Sequence, residues 1–261
     1  MAAVHQLVRL NKILAQKGIC SRREADKFIE QGLIKANGRV ASLGDKYLPN
    51  DVNIQVDPRA LQQQSRQKTI LINKPRGIVS SQPDNDSYTP AVQLLTADRQ
   101  FHSQQGPKKI ADRNFDPRFL TGWRAAGRLD INSTGLLVLT QSGRVARKLI
   151  GEDSNVEKEY LVGIQPTQQF DRRQSTDEIL QRIRQGIVHD GDKLNVVSVE
   201  RLEADLLNMV LTEGKKHQIR RICQSLNFRV TKLHRVRIGN VRLGNLPSGC
   251  WRYLTSTDSF L

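Results

Sequence analysis

The stretch that most constrains this chain is Gly127–Thr140, reading Gly-Arg-Leu-Asp-Ile-Asn-Ser-Thr-Gly-Leu-Leu-Val-Leu-Thr. It sets one carboxylate, Asp130, between an arginine two residues earlier, Arg128, and a turn-forming Asn-Ser-Thr-Gly run. Leu136 to Leu139 follow as four apolar residues closed by Thr140, short enough for a buried strand. An acid on the shoulder of a buried strand is held rigidly, as a positioned reactive group must be. Taken alone, Asp130 reads first as a turn cap. The rest of the chain decides between the two.

Charge is the next constraint. Among 261 residues, Lys and Arg number 41 against 26 Asp and Glu, a formal net charge of +15. Such an excess suits a polyanion, because phosphates attract Lys and Arg and shed counterions on binding. An anionic membrane is the rival, but there is no long apolar run and no basic helix with a large apolar face. The N-terminal residues lack the apolar segment of a secretory signal. Cys20, Cys223 and Cys250 are widely spaced, with no C-x-x-C pair, and the five histidines show no ligand spacing. Neither a disulfide framework nor a metal site is expected, and a reducing cytoplasm fits. A monomer is expected.

Along the chain, Leu10, Ile13 and Leu14 share a helical face. Ser21-Arg22-Arg23-Glu24 is a capping box opening a second helix with Ala25, Phe28 and Ile29 inward. Asn37-Gly38 signals a hairpin, and Val52, Ile54 and Val56 alternate as a strand. Pro58 to Lys68 is glutamine-rich and aperiodic, and reads as a linker. Ile70–Ile72 is a strand leading into the turn Lys74-Pro75-Arg76-Gly77. Phe101 to Gly122 reads as a surface insertion. Helices are expected over Arg144–Ile150, Asp177–Arg184 and Ile219–Leu226. Strands are expected over Glu157–Val162, around Ile187-Val188, over Val196–Val199 and over Leu206–Leu211.

The last stretch is the most lopsided. Gly214 to Thr257 carries ten basic residues and no acid, with Phe228, Trp251 and Tyr253 interleaved. Phosphate-binding charge with planar side chains is how a surface for single-stranded or looped nucleic acid reads.

Two resemblances follow. Residues 8–57, through Arg9–Leu14, Cys20–Ala25, Ile34–Gly38 and the Gly44-Asp45 to Asp51-Val52 region, resemble the S4 RNA-binding domain. That resemblance implies phosphate contacts by Arg9, Lys12, Arg22 and Arg23. Residues 69–258 resemble RNA pseudouridine synthases of the RsuA-type branch. The motifs are Lys74-Pro75-x-Gly77, Gly127-Arg128-Leu129-Asp130 with Ser133-x-Gly135-Leu136-Leu137, Lys158-Glu159-Tyr160, and Glu213-Gly214-Lys215-Lys216-His217-Gln218-Ile219-Arg220-Arg221. The insertion is longer than the branch leads one to expect.

The pseudouridine synthase resemblance implies a catalytic trio. Asp130 would be the nucleophile, at C6 of the base or C1′ of the sugar. Tyr160 would stack on the uracil, with help in removing the C5 proton as its second role, and Arg220 would pair with Asp130. Lys74, Arg128 and Leu233 would touch the flipped-out nucleotide, Leu233 beneath the base. Lys215, Lys216 and Arg221 would meet RNA. His217 reads as structural, and a phosphate contact stays open for Arg220. An isomerisation needs no cofactor. The substrate implied is structured RNA, ribosomal RNA ahead of transfer RNA, and Glu157–Val162 leans towards large-subunit enzymes. A non-catalytic RNA-binding or ribosome-assembly protein on the same fold is the alternative. The fold expected is α+β: a small α/β S4 domain, the linker 58–68, then a domain on a mixed, mostly antiparallel sheet.

Overall fold

The computed structural model describes residues 6–81, 87–102, 121–151, 153–171 and 173–260. Most of the expected Phe101–Gly122 insertion, 103–120, lies outside the described residues. In chain order the elements are β1 (Val8–Arg9), α1 (Leu10–Gln16), α2 (Arg22–Glu30), β2 (Ile34–Ala36), β3 (Arg39–Val40), β4 (Lys46–Tyr47), β5 (Ile54–Val56) and α3 (Pro58–Ser65). Then come β6 (Thr69–Lys74), β7 (Arg124–Ala125), β8 (Thr134–Thr140), α4 (Gly143–Ile150), β9 (Lys158–Pro166), α5 (Thr176–Gln185), β10 (Ile187–His189) and β11 (Asp192–Leu194). The chain finishes with β12 (Ser198–Glu203), β13 (Leu206–Leu211), α6 (Gln218–Gln224), β14 (Phe228–Ile238), β15 (Val241–Arg242) and β16 (Trp251–Tyr253). Two compact units result: Met1–Lys68 with Thr140–Lys148, and Thr69–Leu139 with Leu149–Leu261.

In the first unit, α1 and α2 pack Leu10, Ile13 and Leu14 against Ala25, Phe28 and Ile29 over the antiparallel sheet β3–β2–β5. Burying each of the large side chains contributes roughly 1.5–3 kcal/mol relative to exposure. The capping box forms as the sequence predicts: Ser21 Oγ accepts from the Glu24 amide, and Glu24 accepts from the Ser21 amide. Asn37 (φ 51°) and Gly38 (φ 79°) make the hairpin turn between β2 and β3, a conformation that favours this residue pair. The stretch expected to be a linker departs from expectation. Asp57 caps its start by accepting from the Arg59 amide at 2.8 Å, Pro58 sits in the first turn, and a helix runs to Ser65. Only Ala60 of that helix is buried, in the same core, so there was no apolar period to read.

The second unit is built on a nine-stranded sheet of order β12–β13–β9–β14–β8–β6–β16, with β15 on β14 and β7 on β8. It is mixed and mostly antiparallel: β14 and β8 run parallel, while β12/β13, β13/β9, β9/β14 and β6/β16 run antiparallel. One core lies between α5, α6 and the sheet, the other around Ile70, Ile72, Leu137, Leu139 and Trp251. An apolar cavity of about 250 Å³ opens beside Ile179, Leu180, Leu207 and Phe228, and shares no lining residue with Asp130 and its neighbours. Among the described residues, no helix is long and apolar enough to cross a membrane.

Candidate active site

The site starts at the end of β6, a strand buried at every position. Its last residue, Lys74, is fully buried, and its ammonium donates to the carbonyls of Pro75 (2.9 Å) and Ile78 (2.7 Å). That pair of bonds curls residues 75–78 into a tight turn. The turn in turn grips the Asp130 loop on both sides. The Gly77 amide donates to the Ile131 carbonyl at 2.9 Å. The Ser80 hydroxyl accepts from the Leu129 amide and donates to the Leu129 carbonyl, at 2.8 and 2.6 Å. The Ser133 amide closes the loop onto the Asp130 carbonyl at 3.0 Å. Asp130 is therefore held at its backbone while its carboxylate stays 40% exposed, open to a ligand.

A guanidinium and an imidazole face that carboxylate, one on each oxygen. Arg220 Nε lies 4.0 Å from Oδ2, and His217 Nε2 lies 3.6 Å from Oδ1. Their placement comes from Gln218 between them. Its buried amide donates to the Asn195 carbonyl and to Glu213, and accepts from the Lys215 amide. This fixes the turn before α6 and leaves His217 in the left-handed region at φ 53°. Positions three apart across a helix start share a face, so His217 and Arg220 meet Asp130 together. Sequence reading gave His217 a structural part and missed this contact.

Tyr160 lies on β9, opposite Arg235 of β14. The Arg235 guanidinium stands 5.9 Å from the ring centroid, and its Nη1 is 3.4 Å from the phenol oxygen. Arg235 is 1% exposed. It donates to the Leu136 carbonyl at 2.7 Å and to the Arg128 carbonyl at 3.4 Å, so one side chain ties β8, the Asp130 loop and Tyr160. Sequence reading counted it with the phosphate-binding tail. Leu233, two residues earlier on β14, is buried beside Val162 in a cluster against which Tyr160 packs. Gly135 pairs with Arg235 across the parallel β8–β14 contact, at φ 100°, and a Cβ there would overlap the Arg235 backbone.

Lys74, Arg235 and Lys158 are all buried, and Arg235 acts electrostatically on each of the two lysines. Burial, first, lowers the Lys74 ammonium to about 8; Asp130 opposes the shift and Arg235 adds to it. Burial and then Arg235 likewise depress Lys158, whose ammonium is held by the Val156 and Thr212 carbonyls.

The basic tail is less uniform than its composition suggests. Arg221 donates to Asp192 at 3.0 Å and to the His189 carbonyl at 2.8 Å, so it braces the β10–β11 hairpin. Arg237 pairs with Glu157 and Glu159, and Arg252 with Asp258. Lys216 is exposed; Lys215 reaches the Lys193 carbonyl at 2.6 Å. The side chain of Arg128 is exposed, as are Arg9, Lys12, Arg22 and Arg23 in the first unit. Among the described residues, no group of His, Cys, Asp or Glu could hold a metal ion.

Comparison with known proteins adds an independent observation. Residues 68–225 match the family model described as RNA pseudouridylate synthase, and residues 8–53 match the S4 domain. The chain is 35% identical over 253 residues to the dual-specificity RNA pseudouridine synthase RluF of Salmonella typhi, covering 96% of this chain and 76% of the relative. It is 32% identical over 244 residues to ribosomal large subunit pseudouridine synthase B of Xylella fastidiosa, covering 90% of this chain and 46% of that relative. A crystal structure of a pseudouridylate synthase matches with TM-score 0.62 and 26% identity, covering 96% of this chain and 97% of that one.

Proposed function

The chain belongs to the RNA pseudouridylate synthase family, and from that premise we propose that it isomerises a chosen uridine of ribosomal RNA, with Asp130 as nucleophile. The observation that carries the reading is the Asp130 carboxylate, fixed at its backbone and faced by Arg220 at 4.0 Å and His217 at 3.6 Å. A nucleophilic carboxylate must stay ionised while a base displaces its water, and the cations around it oppose the cost of that desolvation.

In the proposed reaction the uridine is flipped out of its helix, since a stacked base cannot reach Asp130. Tyr160, braced by Arg235, stacks on the uracil above the Leu233 cluster. Arg128, on the exposed side of the loop, supports the vacated stack. Attack by Asp130 leads to cleavage of the N1–C1′ bond. The uracil turns, C5 bonds to C1′, the bond from Asp130 to the substrate breaks and frees the carboxylate, the C5 proton leaves, and N1 gains a proton. Composition is unchanged, which accords with a reaction needing no cofactor. Lys74 acts from below, by shaping the turn that holds Asp130.

Ribosomal RNA is supported by the large-subunit enzyme among the relatives and by the S4 domain, whose exposed Arg9, Lys12, Arg22 and Arg23 suit phosphates. The reading carries residues 8–57 as the RNA-binding domain and 69–258 as the catalytic domain. It takes the enzyme as a monomer in a reducing cytoplasm, in keeping with three free cysteines. A non-catalytic binder on this fold would have no use for a carboxylate held between Arg220 and His217. Asp130→Asn is expected to abolish pseudouridine formation in ribosomal RNA transcripts while affinity stays within about threefold. Chemical mapping of pseudouridine with wild type and variant decides it, and equal yields would refute the assignment.

A further inference from the structure

The first unit contains a groove that the chemistry above leaves unused. One wall is α3 and the turn after it, with Leu61, Gln64 and Gln67; the other is the start of α4, with Arg144, Val145 and Lys148. Its volume is about 590 Å³, within the range of ligand-holding clefts.

Both walls are fixed. The Lys68 amide donates to Gln141 Oε1 at 3.1 Å, and the Gln141 amide returns a bond to the Lys68 carbonyl at 3.0 Å. Gly143 packs so closely on α2 that a Cβ there would overlap Ser21. Gln64 donates to the Ile19 carbonyl at 3.0 Å, and Gln67 donates to Glu24. Glu24 is the acid of this corner, and both its oxygens are engaged, by Gln67 and by the Ser21 amide. The helix that carries Arg144 and Arg147, α4, contains no acid. Arg144 and Arg147 are exposed and three residues apart, hence on neighbouring turns of one helix side. Arg22 and Arg23, also exposed, directly follow the serine on which Gly143 packs. Leu61 is 53% exposed, leaving apolar surface at the rim.

We propose that this groove is a second RNA-binding site of the S4 unit. Arg144, which lines the groove, and Arg147, exposed outside the lining on the same helix side, hold two phosphates of a single-stranded or looped segment that enters the groove past the surface of Arg22 and Arg23. The apolar strip of Leu61 and Val145 lies against a sugar or base. The proposal rests on reading the protein as an RNA-modifying enzyme and adds a contact surface to it.

The test uses the full chain and a transcript of large-subunit ribosomal RNA. Filter binding over a salt series is expected to show Arg144→Ala/Arg147→Ala weakened about tenfold near ~0.15 M salt. The slope of log affinity against log salt should fall by about 1.4–1.8, the share of two phosphates. Arg144→Lys/Arg147→Lys should restore both. Unchanged affinity and slope in the alanine variant would overturn the proposal, and would point instead to a protein partner. Failure of the lysine variant to restore binding would also overturn it, since a structural arginine behaves so. Ultraviolet crosslinking of the wild type should place nucleotide on peptides within 59–68 or 145–148; crosslinks only elsewhere would refute it. Pseudouridine yield from the wild type reports the enzymatic reading separately, because the groove is judged by affinity alone.

Discussion

At the scale of single residues, the backbone of the site is held by two buried cations, Lys74 and Arg235. Lys74 shows how the arrangement can be measured. Its folded-state value of about 8 lies below the ~10.4 of an unfolded lysine, with burial as the leading cause. Between those values the unfolded chain holds a proton that the folded chain has released. This residue therefore makes the fold more stable as pH rises from about 8 to about 10, and costs stability at neutral pH. Urea melts of wild type and Lys74→Met from pH 7 to 10 should diverge in favour of the wild type by on the order of 3 kcal/mol across that window. A difference that stays flat with pH would contradict it. Arg235 shows why some of the site was illegible. A count of charge presumes exposure, yet Arg235 lies under Tyr160. The signal that could have found it was alternation on β14, where Leu233 and Arg235 stand two apart on one face.

At the scale of elements, the contact between β8 and β14 closes the sheet beside the Asp130 loop. Gly135 makes it feasible, because only glycine tolerates both its φ of 100° and the Arg235 backbone against its Cα. Gly135→Ala is expected to destabilise the protein by about 3 kcal/mol or more, combining backbone strain with a displaced strand. Denaturant unfolding checks this, and pseudouridine formation should fall with it as Asp130 loses its setting. Elements with a local signature were legible: the Ser21 capping box, the Asn37-Gly38 turn, and the Leu206–Leu211 strand, which matches β13 residue for residue. α3 was not, because one buried alanine gives no period and only Asp57-Pro58 marked its start. The pairing of β8 with β14 was out of reach for a different reason: its partners are a hundred residues apart in sequence.

At the scale of the molecule, each unit has its own core, so the two should be separable in their effects. Deleting residues 1–57 is expected to lower affinity for ribosomal RNA by at least about tenfold, through the loss of Arg9, Lys12, Arg22 and Arg23. The thermal midpoint of the remainder should fall as well, because α3 and the start of α4 lose the core on which Ala60 and Gly143 pack. Filter binding at matched salt with a thermal melt checks both halves, and unchanged affinity would refute the first.

The first unit is also discontinuous: it takes Met1–Lys68 and then, after an excursion into the other unit, Thr140–Lys148. During synthesis its core of Leu10 to Ala60 can close once Ala60 has left the ribosome. The wall carrying Arg144 arrives roughly eighty residues later, a delay of about 4–16 s at ~5–20 residues per second. A nascent chain thus passes through a period with a folded but half-walled RNA-binding unit. It gains its full grip on RNA only after the strand that follows Asp130 has been made.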